Sequence, residues 1–177
     1  MNHGSYNDEY IADILRDAKS IAMLGASANT SRPSYFAMKY LLGKGYRVVP
    51  VNPGLAGQKI LDQDVAATLS EVVGPVDIVD IFRNSDAVLE IVREAIALKE
   101  KLGIKVIWMQ LGVRNDTAAA KAEAAGFKVV MNRCPKIEYG RLSGEIGWSG
   151  VNSGMISSVR PKLSPLGVQN HRLADKI

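Results

Sequence analysis

Residues 20–53 read SIAMLGASANTSRPSYFAMKYLLGKGYRVVPVNP, and this stretch decides the fold. It opens with an apolar run, Ser20–Leu24, and continues through a polar loop that spans residues 25–34. Helical spacing of apolar residues follows from about Tyr35 to Lys44, and a β-branched run follows at Arg47–Val51. The order strand, loop, helix, strand predicts the first βαβ unit of a nucleotide-binding sheet.

The loop after the first strand carries the first sign of a ligand. Its backbone N–H groups, its hydroxyls and the N-terminus of the next helix together favour an anionic group. Of the three glycines in the dinucleotide motif G-x-G-x-x-G, only Gly25 is present, since Ala28 and Asn29 follow Ser27. The loop therefore predicts a phosphate-bearing ligand and argues against an ordinary dinucleotide.

Further strands and helices alternate along the rest of the chain. We expect an amphipathic helix at Asp8–Lys19, strands at Asp77–Phe82, Ile104–Met109 and Phe127–Met131, a helix with Ser85 as N-cap, and an alanine-rich helix capped by Asn115 or Asp116. This alternation predicts an α/β fold, a Rossmann-like doubly wound parallel sheet of about five strands in a single domain. The expected strand order is 3-2-1-4-5.

The chain divides in character near residue 140. Residues 1–140 are expected to form the domain, and residues 141–177 a Gly-, Ser- and Pro-rich tail with Trp148 and Met155 as isolated apolar anchors. The tail predicts an extended segment that wraps the domain or a partner subunit, or that is partly disordered. Contact with a second copy or a partner protein through this tail is left open.

Composition excludes several classes of protein. The single cysteine rules out an internal disulfide framework, and with no signal peptide or long apolar stretch it leads us to expect a cytoplasmic protein without membrane contact. The net charge of +4 comes mainly from residues 141–177, and no basic stripe with interleaved aromatics predicts nucleic-acid binding. His3 and His171 lie in terminal segments, and no cluster has metal-site spacing.

The candidate site lies beyond the carboxyl ends of the strands, where open α/β sheets bind ligands. Asn52 stands where dinucleotide sites usually carry an acid; it can hydrogen-bond a ribose but is not an anionic acceptor. Three arginines, Arg32, Arg83 and Arg133, offer cations suited to several phosphates, although Arg83 could equally be a solvated strand-end residue.

Asp80 and Cys134, near this edge, have side chains that could react, but we interpret both residues as structural. Asp80, inside the third strand, is better explained as a satisfied carboxylate than as a base. Cys134 is better explained as a small buried hydrophobe than as a nucleophile. Phe82 is either a core residue or a ring against an adenine or a pantetheine arm. No catalytic acid–base pair or nucleophile is identified, so catalysis is not predicted.

From about Ile14 to Tyr139 the chain resembles the small stand-alone CoA-binding proteins, which are built on one Rossmann-like domain. The resemblance depends on motifs that occur together in this order: Gly25-Ala26-Ser27, Arg32-Pro33-Ser34, residues 45–53 (GYRVVPVNP), residues 77–83 (DIVDIFR), residues 106–112 (VIWMQLG) and Asn132-Arg133-Cys134-Pro135. The pattern is more distantly similar to the N-terminal CoA-binding domain of the succinyl-CoA synthetase α subunit.

The resemblance implies coenzyme A, or an acyl-CoA, as the ligand. It implies that the loop holds the phosphates while the later motifs line the nucleotide and pantetheine path. The implied binding residues are Gly25, Ala26, Ser27, Ala28, Asn29, Thr30, Arg32, Ser34, Asn52, Pro53, Phe82, Arg83, Gln110, Leu111 and Gly112. The synthetase carries its phosphorylated histidine on a second domain, which this chain lacks, so ligase chemistry is not implied.

Two alternatives remain from the residues alone. The fold also permits an NAD(P)-binding oxidoreductase subunit, which the incomplete glycine motif and the missing acid disfavour. Cys134 follows the fifth strand on the ligand side, so a mixed disulfide with the thiol of bound CoA is a further hypothesis.

Overall fold

The structure, a computed structural model, describes residues 2–145, 165–168 and 173. Five parallel strands form one sheet, and two short antiparallel strands form a hairpin beside it. The strands are β1 (Ser20–Leu24), β2 (Arg47–Val51), β3 (Lys59–Ile60), β4 (Gln63–Asp64), β5 (Ile78–Ile81), β6 (Val106–Met109) and β7 (Lys128–Val130). The helices are α1 (Asp8–Asp17), α2 (Pro33–Gly43), α3 (Val88–Leu102), α4 (Asp116–Ala124) and α5 (Pro135–Leu142).

Helices cover both faces of the sheet, as the doubly wound prediction requires. One apolar core packs α3 and α4 against the strands, with Val92 and Ala118 fully buried. The other packs α1, α2 and α5 against the opposite face, around Met38 and Trp108. Because both faces are covered, every residue of β1, β5 and β6 is buried, and apart from Ser20 and Asp80 these strands are apolar. The predicted α/β Rossmann-like fold is confirmed.

The predicted strand order is wrong: the sheet runs β2-β1-β5-β6-β7, so the third main strand pairs with β1 and not with β2. Asp77, just before β5, accepts hydrogen bonds from the Ser20 backbone N–H (3.0 Å) and hydroxyl (2.9 Å). Its other oxygen pairs with Lys105 Nζ at 2.8 Å, just before β6. Asp77 thereby fixes β5 between β1 and β6. The outer side of β2 is occupied by Ala66, whose N–H donates to the Pro50 carbonyl.

The helix starts were predicted with mixed success. Asn115 caps α4, as expected, by accepting a hydrogen bond from the Ala118 N–H at 2.9 Å. Ser85 does not cap α3, because a 3₁₀ turn at Ser85–Ala87 precedes that helix. Its hydroxyl accepts instead from the Arg114 N–H at 3.1 Å.

Helix α5 was not predicted, and its last two residues belong to the stretch that we expected to be an extended tail. Arg141 joins α5 to α1 through hydrogen bonds to Asp8 (2.7 Å) and Glu138 (2.8 Å). The division at residue 140 stays a prediction, since most of the tail, including Trp148, Met155 and His171, lies outside the described residues. Within the described part of the chain, no helix has the length and apolarity needed to span a membrane.

Candidate functional site

The chain leaves β1 through a turn that only glycine fits. Gly25 has a φ of +86°, and a Cβ there would lie 2.4 Å from the Phe82 carbonyl oxygen and 2.9 Å from Arg83 Cδ. Its N–H donates to the Val51 carbonyl at 2.9 Å. The ends of β1, β2 and β5 therefore meet at this one residue. This explains why position 25 requires a glycine, although the other two glycine positions of the dinucleotide motif have other residues in this sequence.

The loop after Gly25 is held by its own side chains. Asn29 Oδ1 accepts hydrogen bonds from the Ser31 N–H (2.9 Å) and hydroxyl (2.7 Å), and Ser27 Oγ accepts from the Asn29 N–H. Helix α2 then begins at Pro33, and Arg32 at its N-cap makes no side-chain capping bond. The N-terminus of α2 is therefore not capped by its own N-cap side chain, which is the condition for binding an anion there.

Asn52 has a contact that the sequence did not reveal. Its amide nitrogen donates to the Ala26 carbonyl at 2.8 Å, and its Oδ1 accepts from the Gly54 N–H at 2.9 Å. The side chain thus joins the loop after β1 to the exposed turn that Pro53 begins after β2. In this structure Asn52 positions the loop, while its predicted contact with a ligand stays a prediction.

A cleft of about 670 Å³ opens at the carboxyl edge of the sheet, between the first turns of α2 and α5. Of the predicted residues, Phe82, Arg83, Gln110 and Leu111 line it. The residues from Gly25 to Thr30, and Arg32, Ser34, Asn52, Pro53 and Gly112, are not among its lining residues. The cleft is also lined by Ser31 and Pro33 of the loop and by Asn84 and Cys134, which follow strands. Sequence reasoning missed the remaining lining residues, which are Phe36, Ala37, Val113, Lys136 and Ile137.

Helix α5 contributes two of the lining residues that were missed. A signal for it was present, because Pro135 occupies the first helical position, where proline is favoured. Cys134 precedes it as the N-cap, and Lys136 and Ile137 follow. The motif that contains Cys134 and Pro135 therefore marks the start of a helix that forms one wall of the cleft.

The cations near the cleft differ in how they are paired. Arg32 and Arg83 are exposed, and within residues 2–145, 165–168 and 173 neither has a carboxylate partner. Lys136 Nζ lies 6.0 Å from the centre of the Phe36 ring, across the cleft. Arg133, by contrast, pairs with Glu138 (3.6 Å) and lies over the ring of Tyr6. Arg133 therefore has structural contacts, and Lys136 is the cation on this wall that sequence reasoning missed.

A buried carboxylate lies behind the cleft. Asp80 has no exposed surface, and Gln110 Nε2 donates to both of its oxygens, at 2.9 and 3.1 Å. Burial raises the pKa of Asp80 to about 7, although the hydrogen bonds from Gln110 oppose this. Asp80 thus has the hydrogen-bonded environment of a structural carboxylate, and it holds Gln110 in place at the cleft wall.

Cys134 is partly exposed at the cleft, which differs from the buried position that we expected. Burial of its sulfur raises the pKa of the thiol, and the charge of Asp80 adds to this. The N–H groups of Ile137 and Lys136 act in the opposite direction. Because the net shift is upward, Cys134 is a thiol at neutral pH and not an activated thiolate.

Comparisons with known proteins agree with the fold and the sequence motifs. The family model described as a CoA binding domain matches residues 19–140. The uncharacterized protein YneT of Bacillus subtilis is 31% identical over 129 residues, which cover 73% of this chain and 91% of that protein. A solved structure from Thermus thermophilus has a TM-score of 0.71 and 36% identity, and covers 77% of this chain and 98% of its own.

Two further solved structures extend the comparison. A hypothetical protein from Pyrococcus horikoshii OT3 has a TM-score of 0.71 and 37% identity, over 78% of this chain and 93% of its own. An acetyl-coenzyme A synthetase from Ca. Korarchaeum cryptofilum shares the fold over 64% of this chain and 26% of its own, with a TM-score of 0.52 and 23% identity. The match over residues 19–140 confirms the resemblance, and the chain belongs to the CoA binding domain family.

Proposed function

We propose that this protein binds coenzyme A, or an acyl-CoA, at the carboxyl edge of its sheet. One observation carries the proposal: the Arg83 side chain lies against the Gly25 turn, at the start of the loop that leads to the N-terminus of α2. Arg83 is exposed and has no carboxylate partner among the described residues. Arg83 also lines the same cleft as Pro33, the first residue of α2, whose N-cap side chain makes no capping bond. A guanidinium and a helix N-terminus in one cleft provide two complementary ways to bind a pyrophosphate.

The ligand would extend from the loop into the cleft. In this arrangement the pyrophosphate lies on the loop from Ser27 to Thr30 and on the first turn of α2 at Ser34. Arg32 and Arg83 are the cations available to the phosphates. The pantetheine arm then passes Phe82 and the segment from Gln110 to Gly112, toward the helix α5 wall. Gly25 and Ala26 allow close approach of the backbone, and Asn52 and Pro53 hold the loop in place.

The same geometry disfavours a dinucleotide. At the end of β2, the Asn52 amide bonds to Ala26 and Gly54, and it lacks the negative charge with which an acid holds a ribose. We therefore propose a binding module, such as a carrier, a sensor or a regulatory partner, and not an NAD(P)-dependent oxidoreductase subunit. A cytoplasmic location, where thiols such as Cys134 stay reduced, is part of this proposal.

Calorimetric titration of the full chain, stripped of bound ligand, tests the proposal. We expect saturable one-to-one binding of CoA, weaker binding of 3′-dephospho-CoA because a cation loses its phosphate, and no binding of NAD⁺ at the same concentrations. Binding of NAD⁺ without binding of CoA would show that the ligand is wrongly assigned. Equal affinity for CoA and 3′-dephospho-CoA would show that the 3′-phosphate meets no cation.

A further inference from the structure

Exposed apolar side chains are concentrated at the cleft. The large apolar side chains that are exposed in the described part of the chain are Phe36, Val73, Ile96, Leu111 and Ile137. Three of these five line the cleft: Phe36 (51% exposed), Leu111 (56%) and Ile137 (44%). We call these three the apolar rim. They come from α2, from the segment after β6 and from α5, so three separate elements bring apolar surface to one place.

The conformation of the backbone around Leu111 keeps its side chain exposed. The Val113 N–H donates to the Gln110 carbonyl at 2.9 Å, which closes a tight turn, and Gly112 in that turn has a φ of +77°. Asn132 holds the turn from outside, because its Oδ1 accepts from the Gly112 N–H at 2.8 Å. Leu111 is therefore fixed at the tip of an anchored turn and is not free to fold back into the core.

The other two residues of the rim face each other from two helices. Phe36 lies one helical turn behind the start of α2, and Ile137 lies in the first turn of α5. Lys136 Nζ, 6.0 Å from the centre of the Phe36 ring, connects the two walls. The lining continues apolar with Ala37 and Val113, so the rim borders a pocket and is not an isolated surface patch.

The lining of the cleft combines polar and apolar groups. Ser31, Arg83 and Asn84 line it together with the apolar rim, whose residues come from α2, from the segment after β6 and from α5. An acyl-CoA likewise combines a charged nucleotide with an apolar acyl chain. Free CoA ends in a small thiol and would leave most of the rim in water. A cleft of about 670 Å³ suits a small-molecule chain better than a protein segment.

We propose that the apolar rim binds the acyl chain of an acyl-CoA, so that the preferred ligand is a CoA thioester with an apolar acyl group. This inference rests on the proposed function, since the thioester must first bind through its CoA part. The three rim side chains carry no polar atom, while the amides of Asn84 and Gln110 and the ammonium of Lys136 line the cleft around them. Affinity should therefore depend on the apolar length of the acyl group.

The test is a calorimetric series on the unmodified chain with CoA, acetyl-CoA, butyryl-CoA, hexanoyl-CoA and succinyl-CoA. Complete burial of each methylene would raise affinity by about fourfold. We therefore expect at least a tenfold rise from acetyl-CoA to hexanoyl-CoA, and weaker binding of succinyl-CoA than of butyryl-CoA.

Substitutions in the apolar rim test whether the dependence of affinity on acyl length comes from these residues. Ile137→Ser and Leu111→Ser should each bring the ratio of hexanoyl-CoA to acetyl-CoA affinity toward one. The matched control Val73→Ser changes an exposed valine that does not line the cleft, and should leave the ratio unchanged. Equal affinity across the acyl series, or tighter binding of succinyl-CoA, would overturn the inference and leave CoA binding intact. Failure of every CoA compound to bind would instead overturn the proposed function.

Discussion

The two edges of the sheet differ in whether their charged side chains are paired with a side chain of opposite charge. At the amino edge, before the strands begin, Asp77 pairs with Lys105, and Lys44 pairs with Glu145. At the carboxyl edge, Arg32 and Arg83 are exposed and have no carboxylate partner within the described residues. The charges of these two pairs thus hold the chain together, whereas Arg32 and Arg83 remain available for a ligand.

The amino edge shows how closely charges are satisfied when their role is structural. Lys44 has no exposed side-chain surface, contacts Glu145, and lies over the rings of Tyr40 and Tyr139. The Tyr40 hydroxyl donates to the other Glu145 oxygen at 2.6 Å, and burial together with this carboxylate raises the pKa of Tyr40. No carboxylate in the described part of the chain neutralises Arg83 in this way, and this is the physical basis for proposing that the ligand binds at that edge.

Removing one partner of the buried pair should have the largest effect on stability. Lys44→Met leaves Glu145 buried with Tyr40 alone, so we expect a loss of about 3 kcal/mol in the free energy of unfolding at neutral pH. Urea unfolding at pH 7 measures this loss. The control Lys59→Met breaks an exposed pair with Asp64 and should change little; equal losses would contradict the contrast between the edges.

A substitution at Gly25 should have the next largest effect, and it should reduce both stability and ligand binding. Gly25→Ala should cost about 2 to 3 kcal/mol, because a Cβ meets the Phe82 carbonyl at 2.4 Å and φ is positive. It should also abolish measurable CoA binding, since the loop must move. Gly57→Ala is the matched control, because φ is +78° there and nothing lies within 4 Å of the added Cβ. We expect the control to cost about 1 kcal/mol and to bind CoA normally.

Much of the fold could be predicted because its signals are local. Apolar runs located all five main strands, and Asn115 marked the start of α4. The lateral order of the strands could not be predicted, since it depends on Asp77 meeting Ser20 and Lys105, which are distant in the sequence. A pattern of apolar residues predicts that a strand is present, but it does not predict which strand pairs with it in the sheet.

The site divides in the same way. Phe82, Arg83, Gln110 and Leu111 could be predicted because residues after parallel strands meet at one edge. Phe36 and Ile137 could not, since an apolar residue on a helix gives no sign in the sequence that it faces a cleft. The hydrogen bond from the Asn52 amide to the Ala26 carbonyl could not be predicted either, because it joins two loops that are distant in the sequence.

Asp80 offers a test through pH. Its pKa is raised to about 7 in the folded protein, against about 4 in an unfolded chain, so the folded state binds the proton more tightly. Its contribution to stability is full below about pH 4 and is lost as the pH rises through 7. Asp80→Asn should therefore be more stable than the unmodified protein at pH 8 and equal to it near pH 4. Urea unfolding of both proteins at pH 4 and pH 8 measures this, and the same difference in stability at both pH values would contradict it.

The smallest effect is the most specific to the ligand. Arg83→Met should weaken CoA binding by about tenfold, because a charge-assisted hydrogen bond to phosphate is lost, with little change in stability. The dependence of affinity on salt should also become shallower. Arg93→Met, which changes an arginine paired with Glu90 on α3, should bind CoA as the unmodified protein does. Unchanged affinity in Arg83→Met would remove the main support for the phosphate site.

The most direct measurement is a titration of the ¹⁵N-labelled protein with CoA, followed by NMR of the backbone amides. The central claim is that the ligand binds at the carboxyl edge. We predict that the largest shift changes fall on residues 25–34, on residues 110–113 and on the start of α5 at Lys136 and Ile137. Shift changes concentrated at Lys19, Lys44 and Lys105, with the Gly25 loop unchanged, would place the ligand at the opposite edge and contradict the account.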